Sequence, residues 1–229
     1  MAIIDNLKRI TANIKEAELK AGRKEGSVRL IAVSKTVEAD KVREAYACGQ
    51  LEFAENRVQL LRDKQEKLAD LSGELKWHLI GQLQTNKIKY CADKVELIHS
   101  VDRIELAEAL GKYAGNHGFT VNGLLEVNIS GEESKTGLPL DQVDAFLEAF
   151  SGIKNVRLCG LMTMAPFGAS EKELRTVFSR ARELAERIKD MKIGNSPMGQ
   201  LSMGMSGDYV EAVLEGATMV RIGTAVFQA

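Results

Sequence analysis

Lys35 is the residue of this sequence whose position most favours covalent chemistry. It follows the run 30–34, LIAVS, which has the length and composition of one buried strand. A primary amine at the end of a strand can form a Schiff base with a carbonyl compound, and burial there would favour the neutral, nucleophilic amine. The alternative is a solvated surface lysine, because lysine side chains are rarely buried.

Two glycine-containing turns near the end of the chain are typical of anion sites. The segment 202–208, SMGMSGD, leads into a predicted helix, and the segment 221–224, RIGT, precedes a short terminal segment. Backbone N–H groups at such turns favour negative charge, and barrels often bind phosphate at the loops after their last two strands. In the alternative interpretation, Ser206 and Asp208 only cap a helix and the glycines only turn the chain.

Alternating strand and helix patterns predict the elements that position these residues. A first amphipathic helix carries Ile3, Leu7, Ile10 and Ile14 on one face. Capping pairs are expected at three later helices, at Asp102 with Glu105, Ser170 with Glu173, and Asp208 with Glu211. Eight strand-like segments are predicted, at 29–34, 51–56, 77–81, 96–101, 122–129, 156–163, 200–203 and 219–223.

The fold that we predict is a single α/β domain over residues 1–229, a (β/α)8 barrel of the TIM type. Eight strands alternating with helices fit this barrel, and the length lies in its usual range. A doubly wound open sheet would show the same alternation. We prefer the barrel because no strand is followed by the glycine fingerprint of a dinucleotide-binding fold.

In such a barrel the residues at the strand ends surround one mouth and converge on one pocket. A lysine opposite a phosphate-binding turn predicts a ligand with an aldehyde at one end and a phosphate at the other. Pyridoxal 5'-phosphate is such a molecule. The strand-end residues are Lys35, Asn56, His78, Asn128, Met162, Ser202 and Arg221.

Composition excludes several classes of function. The 31 basic and 32 acidic residues give a net charge of −1 without a dense basic block, so binding to nucleic acid or to an anionic membrane is not expected. No stretch is apolar enough to cross a bilayer and the first residues do not resemble a signal peptide, which predicts a cytosolic protein. Cys48, Cys91 and Cys159 lack the spacing of metal ligands and are interpreted as reduced thiols, so no metal site is predicted.

Five blocks of this sequence resemble the pyridoxal phosphate homeostasis protein family. They occur in the same order over nearly the whole chain, at 32–36 (AVSKT), 53–57 (FAENR), 77–84 (WHLIGQLQ), 202–206 (SMGMS) and 221–225 (RIGTA). The resemblance implies a single-domain barrel like the N-terminal domain of alanine racemases. It also implies a bound pyridoxal phosphate held as a Schiff base, with no established turnover.

The resemblance assigns roles to individual residues. Lys35 would form the internal aldimine, and Asn56 and His78 would line the edges of the ring. Arg221 would face either the pyridine nitrogen or the phosphate, and an arginine beside the nitrogen would disfavour the protonated ring that makes a strong electron sink. His78 has an alternative as a hydrogen-bonded member of the barrel wall, and His99 and His117 are assigned no role. The phosphate would be held by Ser206, Gly223 and Thr224, and the pocket set also includes Met162, Ser202 and Met205.

Three functions remain open at this point. The first is a carrier that binds pyridoxal phosphate and supplies it to apoenzymes as a monomer or weak dimer. The second is a pyridoxal phosphate enzyme such as an amino-acid racemase, which needs an acid or base on each face of the ring. The third is an aldolase that uses Lys35 on a sugar phosphate.

Two details near the pocket bear on these alternatives. Lys135, in the loop 130–137, is an accessory candidate that would act as a second amine or assist transfer; its alternative is a solvated loop charge. Asn128, near the end of the predicted strand 122–129 that leads into this loop, is a second accessory candidate. The chain ends soon after Thr224, without the glycine and short basic tail of the resembled family, which predicts a shortened last helix.

Overall fold

The computed structural model describes residues 2–132, 135–194 and 196–228. Within these residues there are nine strands, and eight of them alternate with helical segments in the predicted order. The strands are β1 (Arg29–Val33), β2 (Glu52–Glu55), β3 (Lys76–Leu79), β4 (Leu97–Val101), β5 (Val121–Asn128), β6 (Leu138–Pro139), β7 (Val156–Met162), β8 (Gln200–Ser202) and β9 (Met219–Ile222).

Eight of these strands close into a parallel barrel, which confirms the predicted fold class. The order around the barrel is β1-β2-β3-β4-β5-β7-β8-β9, and β9 pairs back onto β1 with Leu30 opposite Val220. An open doubly wound sheet would leave two unpaired edges, so the pairing of β1 with β9 excludes it. The two-residue β6 pairs with the end of β5, opposite Val127 and Asn128, and is not a member of the closed ring.

Helices cover the outside of the barrel. Between β3 and β4 the chain forms a 3-10 helix, Thr85–Tyr90, where a regular βα alternation would have an α-helix. The α-helices are α1 (Ile3–Lys20), α2 (Ala39–Ala47), α3 (Val58–Lys67), α4 (Ile104–His117), α5 (Val143–Phe150), α6 (Glu171–Asp190), α7 (Tyr209–Leu214) and α8 (Thr224–Phe227). The last of these, α8, has four residues.

The strands bury two separate apolar layers because successive side chains point to opposite faces of a strand. Residues such as Ala32 and Phe53 pack against the helices in the outer layer. Ile31, Val33 and Ala54 belong to a smaller cluster of buried residues that lies inside the barrel. Alternate residues of a strand therefore face the helices and the barrel axis in turn.

One of the three predicted capping pairs is present. Ser170 Oγ accepts a hydrogen bond from Glu173 N, and the Glu173 carboxylate accepts one from Ser170 N at 2.8 Å, so α6 begins with a capping box. The prediction at Asp102 was wrong, because α4 begins after Arg103 and the Asp102 carboxylate pairs with the Arg103 guanidinium. Asp208 precedes α7, but its carboxylate accepts from the backbone N–H of Met205 instead of from the helix.

Candidate functional site

A pocket of about 610 Å³ opens at the carboxyl ends of the barrel strands. Its volume is in the range of small-molecule and cofactor sites. Most of the residues selected from the sequence come together in its wall. These are Lys35, Asn56, Lys135, Met162, Met205, Ser206, Arg221, Gly223 and Thr224.

Lys35 lies at the rim of this pocket, two residues beyond β1. The preceding residue still belongs to the sheet, since Ser34 N donates to Ala54 O at 3.0 Å. The Lys35 side chain is exposed, so the burial expected from the sequence is not found. The amine is therefore positioned by a fixed strand end and is open to an incoming ligand.

A buried ion pair that sequence analysis missed fixes the strand ends next to Lys35 and Asn56. Lys64 Nζ, on α3, lies 2.5 Å from Glu55 Oε1 and donates at 2.5 Å to Ser34 O. Ser34 Oγ donates to the same carboxylate at 2.7 Å. The Lys64 and Glu55 side chains are 4% and 0% exposed, and within the described residues Glu55 Oε2 has no partner. This network holds the backbone immediately before both pocket residues.

The opposite wall of the pocket is a tight turn between β8 and α7. Gly204 has φ +90°, and a Cβ there would lie 2.6 Å from Ala212 Cβ, so the turn requires glycine. Ser206 Oγ accepts from Ala225 N at 3.4 Å, which links this turn to α8. Among the described residues, none accepts a hydrogen bond from the backbone amides of Ser206, Gly207 and Thr224. Such amides are suited to bind an anion.

Close approach between β9 and β1 brings the two sides of the pocket together. Gly223 directly follows β9, and a Cβ there would lie 3.0 Å from Val33 O and 3.4 Å from Val33 Cβ. A larger residue would push apart the strand that leads to Lys35 and the turn that leads to Thr224. The glycine therefore sets the distance between the amine and the anion-binding turns.

Arg221 forms the floor of the pocket, inside the barrel. Its side chain donates from Nη1 to Ser202 Oγ at 2.7 Å and from Nη2 to Thr163 O at 3.0 Å. Burial lowers the pKa of Arg221 to about 10, and Asp208 and Glu126 act in the opposite direction. The guanidinium thus remains a cation at neutral pH.

Three of the selected residues do not line the pocket. Asn128 uses its side chain to build its own loop, accepting from Ser130 Oγ and Gly131 N, each at 3.0 Å. Ser202 lies beneath Arg221 and binds it. His78 is fully buried in the barrel, in agreement with the alternative that placed it in the barrel wall.

His78 belongs to a polar chain that runs through the barrel interior from β2 to β9. Arg221 binds Ser202, Ser202 Oγ lies 2.9 Å from His99 Nδ1, and His99 Nε2 lies 3.0 Å from His78 Nδ1. His78 Nε2 lies 3.2 Å from Glu52 Oε2, in a contact that falls short of ideal hydrogen-bond geometry. We call this set the axial chain.

His99 was not identified from the sequence. A signal was present, since it is a titratable residue in the middle of the apolar strand 96–101. Burial lowers the pKa of His99 well below its ordinary value, and the nearby His78 and Arg221 side chains act in the same direction. The imidazole of His99 is therefore neutral in the folded protein.

Lys135 contacts the opposite rim of the pocket. Its Nζ donates to Ala165 O at 2.8 Å, in the loop after β7. The neighbouring Glu133 and Ser134, which belong to the same predicted loop, lie outside the described residues. Lys135 is half-buried, so its side chain is more restrained than that of an ordinary loop lysine.

Metal-binding clusters and membrane-spanning helices are both absent from the described residues. No group of three or more His, Cys, Asp or Glu side chains is arranged to hold a metal ion in the part of the chain that is described. Across the same residues, no helix has the length and apolar character needed to cross a membrane.

Comparison with known proteins gives consistent matches over the whole chain. The family model for the alanine racemase N-terminal domain matches residues 6–229. A protein from Aquifex aeolicus named pyridoxal phosphate homeostasis protein is 41% identical over 227 residues, which are 99% of this chain and 98% of that protein.

Solved structures show the same similarity. An unknown protein from Bifidobacterium adolescentis is 38% identical and superposes with a TM-score of 0.93, over 99% of this chain and 94% of that one. PipY of Synechococcus elongatus, solved with PLP bound, is 39% identical with a TM-score of 0.82, over 93% of this chain and 99% of PipY.

Proposed function

We propose, since the chain belongs to the pyridoxal phosphate homeostasis protein family, that it binds pyridoxal 5'-phosphate reversibly and takes part in intracellular vitamin B6 homeostasis. The observation that carries this proposal is the position of Lys35 in the same pocket as the anion-binding turns at Ser206 and Thr224. An amine and a phosphate site in one pocket match the two reactive ends of this cofactor.

The donor set of the pocket fits the cofactor. When bound, pyridoxal phosphate supplies an aldehyde that condenses with a primary amine. Lys35 would provide that amine. The amides of Ser206, Gly207 and Thr224 and the hydroxyls of Ser206 and Thr224 would hold the phosphate.

Arg221 would face the ring nitrogen in this arrangement. It lies two residues before Gly223 on β9 and is fully buried, hence deeper in the barrel than the phosphate-binding turn. An arginine donates hydrogen bonds and cannot accept a proton at this pKa. It would therefore keep the ring nitrogen unprotonated, which weakens the ring as an electron sink. Asn56, Met162 and Met205 would complete the walls around the ring.

A carrier role is favoured over catalysis. Relatives of high identity are named homeostasis proteins and not catalysts. A racemase needs a proton-transferring group on each face of the ring. In this pocket Lys135, the second lysine, is held by the carbonyl of Ala165. Apoenzymes that require the cofactor are the proposed recipients, in the cytosol, with the protein acting as a monomer or weak dimer.

The direct test is the visible absorption of purified protein after pyridoxal phosphate is added. We expect a visible band in the wild type and its loss in Lys35→Ala, because the band requires a carbon–nitrogen bond to the lysine. Lys41→Ala is the matched control, since Lys41 is exposed on α2, outside the pocket. Borohydride reduction followed by peptide mapping should place the modification on Lys35.

Three outcomes would contradict the proposal in different ways. A band that persists in Lys35→Ala would move the covalent site to another lysine. Absence of a band in the wild type would remove the cofactor and favour the sugar-phosphate aldolase, because a sugar imine does not absorb visible light. Steady racemase turnover by the loaded protein would replace the carrier role with an enzymatic one.

A further inference from the structure

The axial chain has a donor-only group at one end and an acceptor-only group at the other. Arg221 carries only N–H donors, and the Glu52 carboxylate carries only acceptor oxygens. Between them lie Ser202, His99 and His78, each of which both donates and accepts. The two ends therefore restrict where the protons of the three middle groups can be.

One arrangement directs every proton of the axial chain at an acceptor atom with both imidazoles neutral, and only the His78–Glu52 contact falls short of ideal hydrogen-bond geometry. Arg221 donates to Ser202, and the Ser202 hydroxyl donates to His99 Nδ1. His99 then donates from Nε2 to His78 Nδ1, and His78 donates from Nε2 toward Glu52. Each of these contacts joins atoms between 2.7 and 3.2 Å apart.

The reversed arrangement is less favourable. If His99 donated from Nδ1 to Ser202, the Ser202 hydroxyl hydrogen would have no acceptor among the chain's members. His78 would then have to donate from Nδ1 to His99. To present an N–H group to Glu52 as well, His78 would need a second proton, which would make it a buried cation. A buried unpaired hydrogen and a buried charge both cost free energy.

We infer that the axial chain is a one-directional hydrogen-bond chain, with His78 and His99 neutral and protonated on Nε2, that holds the Arg221 guanidinium against the pocket. His99 is its positioning residue. The role in ligand binding rests on the proposed function, whereas the proton positions do not. The low pKa of His99 agrees with the neutral form.

The axial chain also explains how Arg221 stays available to a ligand. Two of its N–H groups are used by Ser202 and Thr163. The carboxylate of Glu52 lies at the far end of the chain, where it binds Arg29 at 3.2 Å. Because no carboxylate contacts the Arg221 guanidinium among the described residues, its remaining donors can face the pocket.

The first experiment is an NMR measurement of imidazole protonation in the cofactor-free protein. The chain has three histidines, so long-range proton–nitrogen spectra are easily assigned with single variants. We expect the Nε2–H tautomer for both His78 and His99, with the exposed His117 as internal reference. An Nδ1–H tautomer at His99, or a protonated His78 at neutral pH, would overturn the inference whether or not the cofactor binds.

The second experiment tests the positioning role through two variants of similar side-chain size. His99→Asn retains an acceptor near Ser202, whereas His99→Leu removes it. We expect His99→Leu to bind pyridoxal phosphate about tenfold more weakly than the wild type, because this variant loses a hydrogen bond of a network that ends on a charged group. We expect His99→Asn, which keeps that hydrogen bond, to bind with near wild-type affinity. Equal affinities in the two variants would refute the positioning role.

Further variants keep this test decisive. If His99→Leu does not fold, Ser202→Ala breaks the chain one link nearer to Arg221 and should weaken binding by a similar factor. His117→Leu, on the exposed side of α4, should bind like the wild type. A wild type without a Lys35-dependent band would refute the proposed function alone, because the tautomer measurement uses cofactor-free protein.

Discussion

Next to the strand end that precedes Lys35, the cation of Lys64 contacts the carboxylate of Glu55 directly. Beneath Arg221, by contrast, a hydroxyl and two imidazoles separate the cation from the carboxylate of Glu52. Both networks place charge in the barrel wall or interior, away from water. They differ in what the cation can still do.

The difference follows from the position of each cation. Lys64 is outside the barrel and does not line the pocket that contains Lys35, so a short ion pair can use its charge fully and stiffen the wall. Arg221 lines the pocket, and a carboxylate beside it would compete with any ligand for its donors. Uncharged hydrogen-bonding groups fix its orientation without neutralising it locally. The direct pair of Lys64 with Glu55 stiffens the barrel wall. The axial chain orients Arg221 through uncharged groups, so that the Arg221 cation can still bind a ligand.

The largest effect should come from breaking the direct pair. Lys64→Met leaves Glu55 charged and buried, and we expect the free energy of unfolding to fall by about 3–5 kcal/mol, measured in urea. The double variant Lys64→Met, Glu55→Leu should recover most of the loss, because both charges are gone. A double variant as unstable as the single one would show that packing, and not charge, is responsible.

A matched pair of serine variants compares the two networks directly. Ser202→Ala leaves His99 and Arg221 each short of a partner in the barrel interior, and should cost about 1–3 kcal/mol of unfolding free energy. Ser34→Ala removes one hydrogen bond from a carboxylate that Lys64 still binds, and should cost about 1 kcal/mol. Equal costs would contradict the view that Ser202 is an essential link.

The pH dependence of stability should reveal the neutral His99. Its pKa in the folded protein is well below the ordinary value of 6.5, so below pH 6.5 the unfolded chain binds a proton that the folded protein does not. The free energy of unfolding should therefore fall as the pH drops below 6.5, by at most about 1.4 kcal/mol per pH unit. Its charged or titratable neighbours are His78, Arg221 and Arg29.

The control for this prediction is the same titration of two variants. His99→Asn should lose part of the pH dependence below 6.5, whereas His117→Asn, which changes an exposed residue, should keep it. Identical profiles for the wild type and His99→Asn would assign the dependence to other groups.

The smallest effect is expected at a pocket residue outside both networks. Phe167, in the loop after β7, lines the pocket mouth and is completely exposed. Phe167→Ser should leave the free energy of unfolding within about 0.5 kcal/mol of the wild type. A larger loss in urea unfolding would show that this loop packs more tightly in solution than in the structure.

The sequence was sufficient for most of the fold because strand and helix periods are local patterns. The run before Lys35 and the glycine turn at Gly204 each carry their own signal within a few residues. The capping prediction at Asp102 failed for a physical reason, since the neighbouring Arg103 competes for the same carboxylate. The 3-10 segment Thr85–Tyr90 likewise replaced the helix expected from regular alternation.

The sequence by itself determined the alternation of elements, the strand that ends before Lys35 and the turns that expose backbone amides near Ser206 and Thr224. Only the tertiary structure decided which residues share the barrel interior. The partners of His99 lie on other strands, and a register shift of one residue would turn its side chain outward. The pairing of β3 with β4, with His78 opposite Leu97, fixes that register, and ring closure between β9 and β1 brings Arg221 into the same interior.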